Sequence, residues 1–117
     1  MRPGEEVSVY LCRQVVDFRK SINGLSAMVE EELGLDPFGP HLFVFCNRRR
    51  DKIKILYWER SGFVLWYKRL EKERFPWPRR DRSDVVTMTG RELNWLLDGI
   101  DLFRLQPHQT ISYQQAV

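Results

Sequence analysis

Three apolar, β-branched and aromatic runs crowd the stretch from His41 to Leu70, and the links between them are too short for anything but hairpins. The runs are His41 to Cys46 (HLFVFC), Lys52 to Glu59 (KIKILYWE) and Phe63 to Leu70 (FVLWYKRL). Asn47 to Asp51 and Arg60-Ser61-Gly62 connect them. Links of this length join antiparallel neighbours, because a parallel crossover needs a dozen or more residues. The stretch therefore predicts an antiparallel three-stranded meander. HLFVFC is almost wholly apolar and reads as buried on both faces, whereas the other two runs carry charge at alternate positions near one end. Ser61-Gly62 fits more than one turn position, which leaves the register of the second hairpin open.

The flanks supply helices and two further strands. Val7 to Cys12 (VSVYLC) alternates weakly and reads as a strand. Asp17 is placed as a helix N-cap, followed by Phe18, Ile22, Leu25, Val29 and Leu33 at the spacing of an amphipathic helix. Gly34 fits the left-handed residue that ends such a helix. Gly24 inside it, and Glu30, Glu31 and Glu32 at the wrong end of its dipole, make it depend on packing. Asp36 to Pro40 is a turn cluster. The two prolines of Phe75-Pro76-Trp77-Pro78 exclude a central strand. Arg79 to Asp84 is a charged loop, and Val85 to Met88 reads as a short strand. Thr89 and Glu92 then form a capping-box pattern opening a helix with Leu93, Leu96, Leu97 and Ile100 on one face. Gly99 should loosen or end that helix. The expected class is α+β: an antiparallel sheet built on the three-stranded meander, with two helices packed on one face. The 117 residues suit one domain over 1–105, with a flexible tail over 106–117.

Little in the chain speaks for catalysis. No phosphate loop, dinucleotide fingerprint, nucleophile elbow or zinc-protease motif occurs, and no cofactor is implied. His41 and His108 stand far apart. Cys12 and Cys46 end apolar runs, as small buried hydrophobes do, and lack the close spacing of metal ligands. No apolar run approaches the ~20 residues that span a bilayer. The first residues lack a secretory apolar region, so a cytoplasmic location is expected.

Charge is the informative feature. The net +3 divides sharply: Arg48 to Arg82 holds 13 Lys or Arg against 5 Asp or Glu, while the rest holds 6 against 11. Such separation produces a basic surface that attracts polyanions. Arg48, Arg49 and Arg50 are consecutive on a tight connection and can fork onto phosphate oxygens. Lys52, Lys54, Lys68 and Arg69 lie on the strands among aromatic residues, a mixture that follows a phosphate backbone and stacks on unpaired bases. Most of Tyr57, Trp58, Trp66 and Tyr67 are expected in the core. Trp77, held extended between two prolines and surrounded by Arg74, Arg79, Arg80 and Arg82, serves equally as a cover for the sheet or as a second anchor. These residues form the candidate nucleic-acid site, with DNA the expected partner. The other reading is an adaptor that docks on a protein, since Arg and Trp are also enriched at interface hot spots. Oligomeric state is not legible in the chain.

Several of these segments, taken in order, carry a family resemblance. Asp17 to Leu25 (DFRKSINGL), His41 to Phe45 (HLFVF), Arg48 to Trp58 (RRRDKIKILYW), Gly62-Phe63, Leu65 to Glu71 (LWYKRLE), Arg74-Phe75, Trp77-Pro78 and Leu93 to Asp101 (LNWLLDGID) together resemble the TnpB-type accessory proteins of insertion-sequence family 66. The resemblance spans about Val7 to Asp101. Cys46-Asn47 and Ser21-Ile22 depart from the residues common at those places. The resemblance implies a part in transposition beside a separate, larger transposase that carries the DNA-cutting carboxylates. It does not extend to the RNA-guided nuclease that shares the name, for which the chain is far too short.

Overall fold

Helix α1 (Ile22–Glu31) stands between strands β1 (Ser8–Cys12) and β2 (His41–Cys46), and this arrangement sets the centre of the fold. A strand, helix and strand in succession supply a crossover, so β1 and β2 run parallel, with Ser8 opposite His41 and Leu11 opposite Val44. From β2 the chain turns back twice through β3 (Lys52–Glu59) and β4 (Gly62–Arg69), each antiparallel to the strand before it. β5 (Val85–Thr89) pairs antiparallel with the free side of β1 and leads directly into α2 (Gly90–Leu97). The result is one five-stranded, mostly antiparallel sheet in the order β4-β3-β2-β1-β5. This computed structural model describes residues 7–78, 84–101 and 103. The expected tail over 106–117 lies outside them.

The two helices cover opposite faces, which corrects the expectation that both pack on one. Leu25, Met28 and Val29 of α1 are buried with Cys12, Phe43, Phe45 and Leu56. Leu93, Leu96 and Leu97 of α2 are buried with Val9, Leu11, Val44, Ile53 and Ile55. These strand residues alternate in sequence, and alternation along a strand means opposite faces. The cause is connectivity: the crossover lays α1 on one side, and the tight Thr89-Gly90 junction turns α2 onto the other. β2, central and covered twice, is buried from Leu42 through Cys46.

α1 also begins later than its apolar stripe suggests. Ser21, not Asp17, is the N-cap residue, and its side chain makes no capping bond. Asp17 instead accepts from the backbone N–H of Arg19 at 2.9 Å and from its guanidinium, closing a turn before the helix. Gly34 adopts the left-handed φ of +66° just past the helix end. α2 opens as its capping box predicts: Glu92 N–H donates to the Thr89 hydroxyl, and Thr89 N–H donates to the Glu92 carboxylate. Gly99, at φ +87°, ends it.

The segment after β4 is a strap across the α2 face. Phe75 and Trp77 lie in that core. Two backbone bonds moor the strap to the β2–β3 turn: Leu70 N–H to the Asp51 carbonyl and Phe75 N–H to the Arg50 carbonyl, both 2.7 Å.

Candidate nucleic-acid interface

The β2–β3 turn is built around Asn47, a polar residue only 8% exposed. Its side-chain oxygen accepts from the N–H groups of Asp51 and Lys52, and its amide donates to the Asp51 carboxylate at 2.7 Å. That bond holds the Asp51 carboxyl below the usual carboxylate range. With Asn47 turned inward, Arg48, Arg49 and Arg50 project outward, and all three are exposed. Arg50 sits at φ +61°, a left-handed conformation that non-glycine residues enter at a cost.

Two rows of side chains continue this charged end onto the sheet on the α1 side. Lys52 pairs in register with Arg69, and Lys54 with Tyr67. Arg69 is exposed and ion-paired to Glu71 at 2.9 Å. Tyr67 is 50% exposed, with its ring centroid 6.4 Å from that of Phe18. Arg19 and Lys20, also exposed, lie on the turn that leads into α1 and line a shallow depression at its start. The moored segments 48–54 and 69–74 together carry eight Lys or Arg against three Asp or Glu. Arg74 and Lys72 are exposed on the strap beside the turn.

Three expected site residues are placed otherwise. Trp77 is a correction: it is 7% exposed, and its indole N–H donates to the Cys12 carbonyl at 3.1 Å. The ring lies in the α2-side core, so it offers no face to a base. Lys54 is tied down, its ammonium donating to the carbonyls of Phe18 and Lys20, both at 2.9 Å, and lying over the Phe18 ring. Burial pushes its pKa down. Lys68 points to the opposite, α2 face, where its ammonium reaches the Leu97 carbonyl at the end of α2. Arg79, Arg80 and Arg82 lie outside the described residues. The structure thus brings together Arg48, Arg49, Arg50, Lys52, Arg69 and Arg74, and separates Lys68 and Trp77 from them. Sequence reasoning passed over Arg19, Lys20 and the exposed ring of Tyr67. Alternation along β4 places Tyr67 on the face away from Trp66, but its exposure follows from its edge position.

Both cysteines are buried, and burial pushes the Cys12 thiol up to about 11 and the Cys46 thiol up to about 12. Among the described residues, no three His, Cys, Asp or Glu converge as a metal site would require. No described helix is long and apolar enough to cross a membrane.

The family model described as IS66 Orf2 like protein matches residues 7–107, which include the whole sheet, both helices and the arginine turn. The chain belongs to that family. Two relatives from Sinorhizobium fredii (strain NGR234) are similar along nearly their full lengths. The uncharacterized protein y4jC is 34% identical over 104 residues, covering 89% of this chain and 88% of its own. The uncharacterized protein y4hO is 33% identical over 98 residues, covering 84% of each. No solved structure matches the chain. An IS66 Orf2-like protein is an accessory protein associated with an insertion sequence, which gives this basic rim its biological setting.

Proposed function

We propose that this IS66 Orf2-like protein assists transposition without catalysing it, by binding DNA through the basic rim formed by the β2–β3 turn and the adjoining end of β4. The observation that carries the reading is the exposed run Arg48, Arg49 and Arg50, moored beside the cross-strand pair Lys52 and Arg69. Guanidinium groups on a rigid turn contact phosphates without further ordering. Tyr67, half-exposed next to them, adds a ring on which an unpaired base can stack. Arg19 and Lys20 extend the cationic surface across the start of α1. Phosphate contacts set affinity and position but read no sequence, so the reading calls for salt-sensitive and weakly specific binding.

Fluorescence-polarisation titration with element-end duplex, scrambled duplex and single strand, at low and moderate salt, tests this. Affinity should fall steeply with salt. Reversing the charge of Arg48, Arg49 and Arg50 together should abolish binding, whereas Tyr67→Ala should weaken single-strand binding by the ~1–3 kcal/mol of one stacked base. Binding unchanged by the arginine reversal would overturn the assignment. A second reading, docking on the transposase, draws on the far rim. There Phe38 is 53% exposed and packs on Trp58 and Phe63 at about 5 Å between ring centroids. No binding to any probe at low salt would favour it.

A further inference from the structure

β4 ends the sheet on one side, and no described strand pairs with its outer edge. Its hairpin loop is the two residues Arg60 and Ser61, between the paired Glu59 and Gly62. A two-residue loop closes on a doubly hydrogen-bonded pair, and such pairs recur at every second position along the ladder. Gly62, Val64, Trp66 and Lys68 therefore direct their backbone groups to β3, while Phe63, Leu65 and Tyr67 direct theirs outward. Among the described residues, that stretch of the edge lacks the usual protections. Phe63 to Tyr67 is an unbroken apolar and aromatic run with no proline, charge or bulge, and no β4 side chain is buried.

We propose that two copies of the chain pair through this edge, β4 antiparallel to β4 with Leu65 facing Leu65 across a twofold axis, so that the two sheets become one. A twofold axis normal to the sheet pairs residues on the same face, so Phe63 meets Tyr67 of the second copy and Val64 meets its Trp66. The rows then match in kind. On the α1 side, Tyr67 of one copy extends the aromatic group of Phe38, Trp58 and Phe63 of the other, and Leu65 meets its equivalent with Leu56 behind each. On the α2 side, Val64 meets Trp66 of the other copy, with Tyr57 behind the first and Ile55 behind the second on their own β3 strands. Charge selects the direction. β4 is cationic at Lys68 and Arg69 and uncharged at its start, and antiparallel pairing keeps the two cationic ends apart. It also sets Lys68 opposite Gly62, in the same row as the exposed Glu59 of the other copy. Parallel pairing would stack like charges instead. The pairing does not depend on DNA binding by the arginine turn, but it covers Tyr67, so base stacking on that ring belongs to the unpaired chain.

Light scattering coupled to size exclusion, over a wide concentration range, should show a mass of twice the chain's 14.1 kDa. A mass that stays at one chain throughout overturns the proposal. Leu65→Pro removes an N–H that points away from β3, which an edge strand tolerates, and should give a folded monomer by circular dichroism. A folded Leu65→Pro chain that remains dimeric overturns the use of this edge. Leu65→Cys tests the register should the proline variant not fold. A short bis-maleimide should join two copies through Cys at this position and leave the wild type, whose thiols are buried, uncoupled. A dimer of this variant that does not cross-link overturns the Leu65 twofold.

Discussion

Arg50 occupies a backbone conformation that glycine would hold without strain, on a turn whose other residues are fixed by Asn47. The left-handed region costs a residue with a Cβ about 1–2 kcal/mol. Glycine at this place loses more chain entropy on folding, which offsets part of that gain. Arg50→Gly should therefore raise stability by roughly 0.5 kcal/mol, read as a higher urea midpoint, while weakening DNA binding in the polarisation titration. Opposite signs in the two measurements identify a side chain held at a structural cost for its charge; equal or lowered stability would contradict the strain argument. Asp51 supplies a pH dependence at the same turn. Its folded pKa is lowered by the Asn47 amide, so its contribution is complete above the ordinary carboxylate value of about 4 and is lost as pH falls through the lowered value. Between about pH 5 and pH 3 the urea midpoint of the wild type should fall further than that of Asp51→Asn, which cannot titrate there.

Elements, more than residues, decide what the sequence shows plainly and what it hides. The runs from His41 to Arg69 form strands where their patterns place them, and the Thr89–Glu92 capping box opens α2 as written. Covering on both sides was legible in HLFVFC, since a strand apolar at every position needs apolar neighbours above and below it. That signal outweighs the simpler layout with both helices on one face. Asp17 mimics an N-cap because Asx turns and helix caps use the same side-chain-to-backbone bond, and only the following residues distinguish them. The candidate site was legible as charge but not as placement. Lys54 meets carbonyls more than thirty positions away in sequence, and no local pattern records that. Trp77 shows the same limit: its prolines fix an extended strap, but which way the ring faces depends on the sheet beneath. Trp77→Ala should cost about 3–5 kcal/mol through the cavity left in the α2-side core, while Tyr67→Ala should cost under about 1 kcal/mol. Thermal unfolding of the two variants compares them directly, and a Trp77 variant as stable as wild type would contradict the buried assignment.

At the scale of the whole molecule, charge, aromatic exposure and free backbone fall on different parts of the boundary. The arginine turn lies at one end of the sheet, the Phe38 group lies at the other, and the β4 edge runs between them. The family assignment gives an insertion-sequence setting to this layout, and the basic end is the part best suited to a polyanion. Among the described residues each face of the sheet carries a helix, so a duplex meets the basic rim and not a sheet face. The described body measures 39 × 30 × 29 Å, against about 34–36 Å for one turn of DNA. A single copy meeting a duplex by its rim would protect less than a full turn from nuclease. Spacing between two binding sites could then be measured only by a protein that carries two rims.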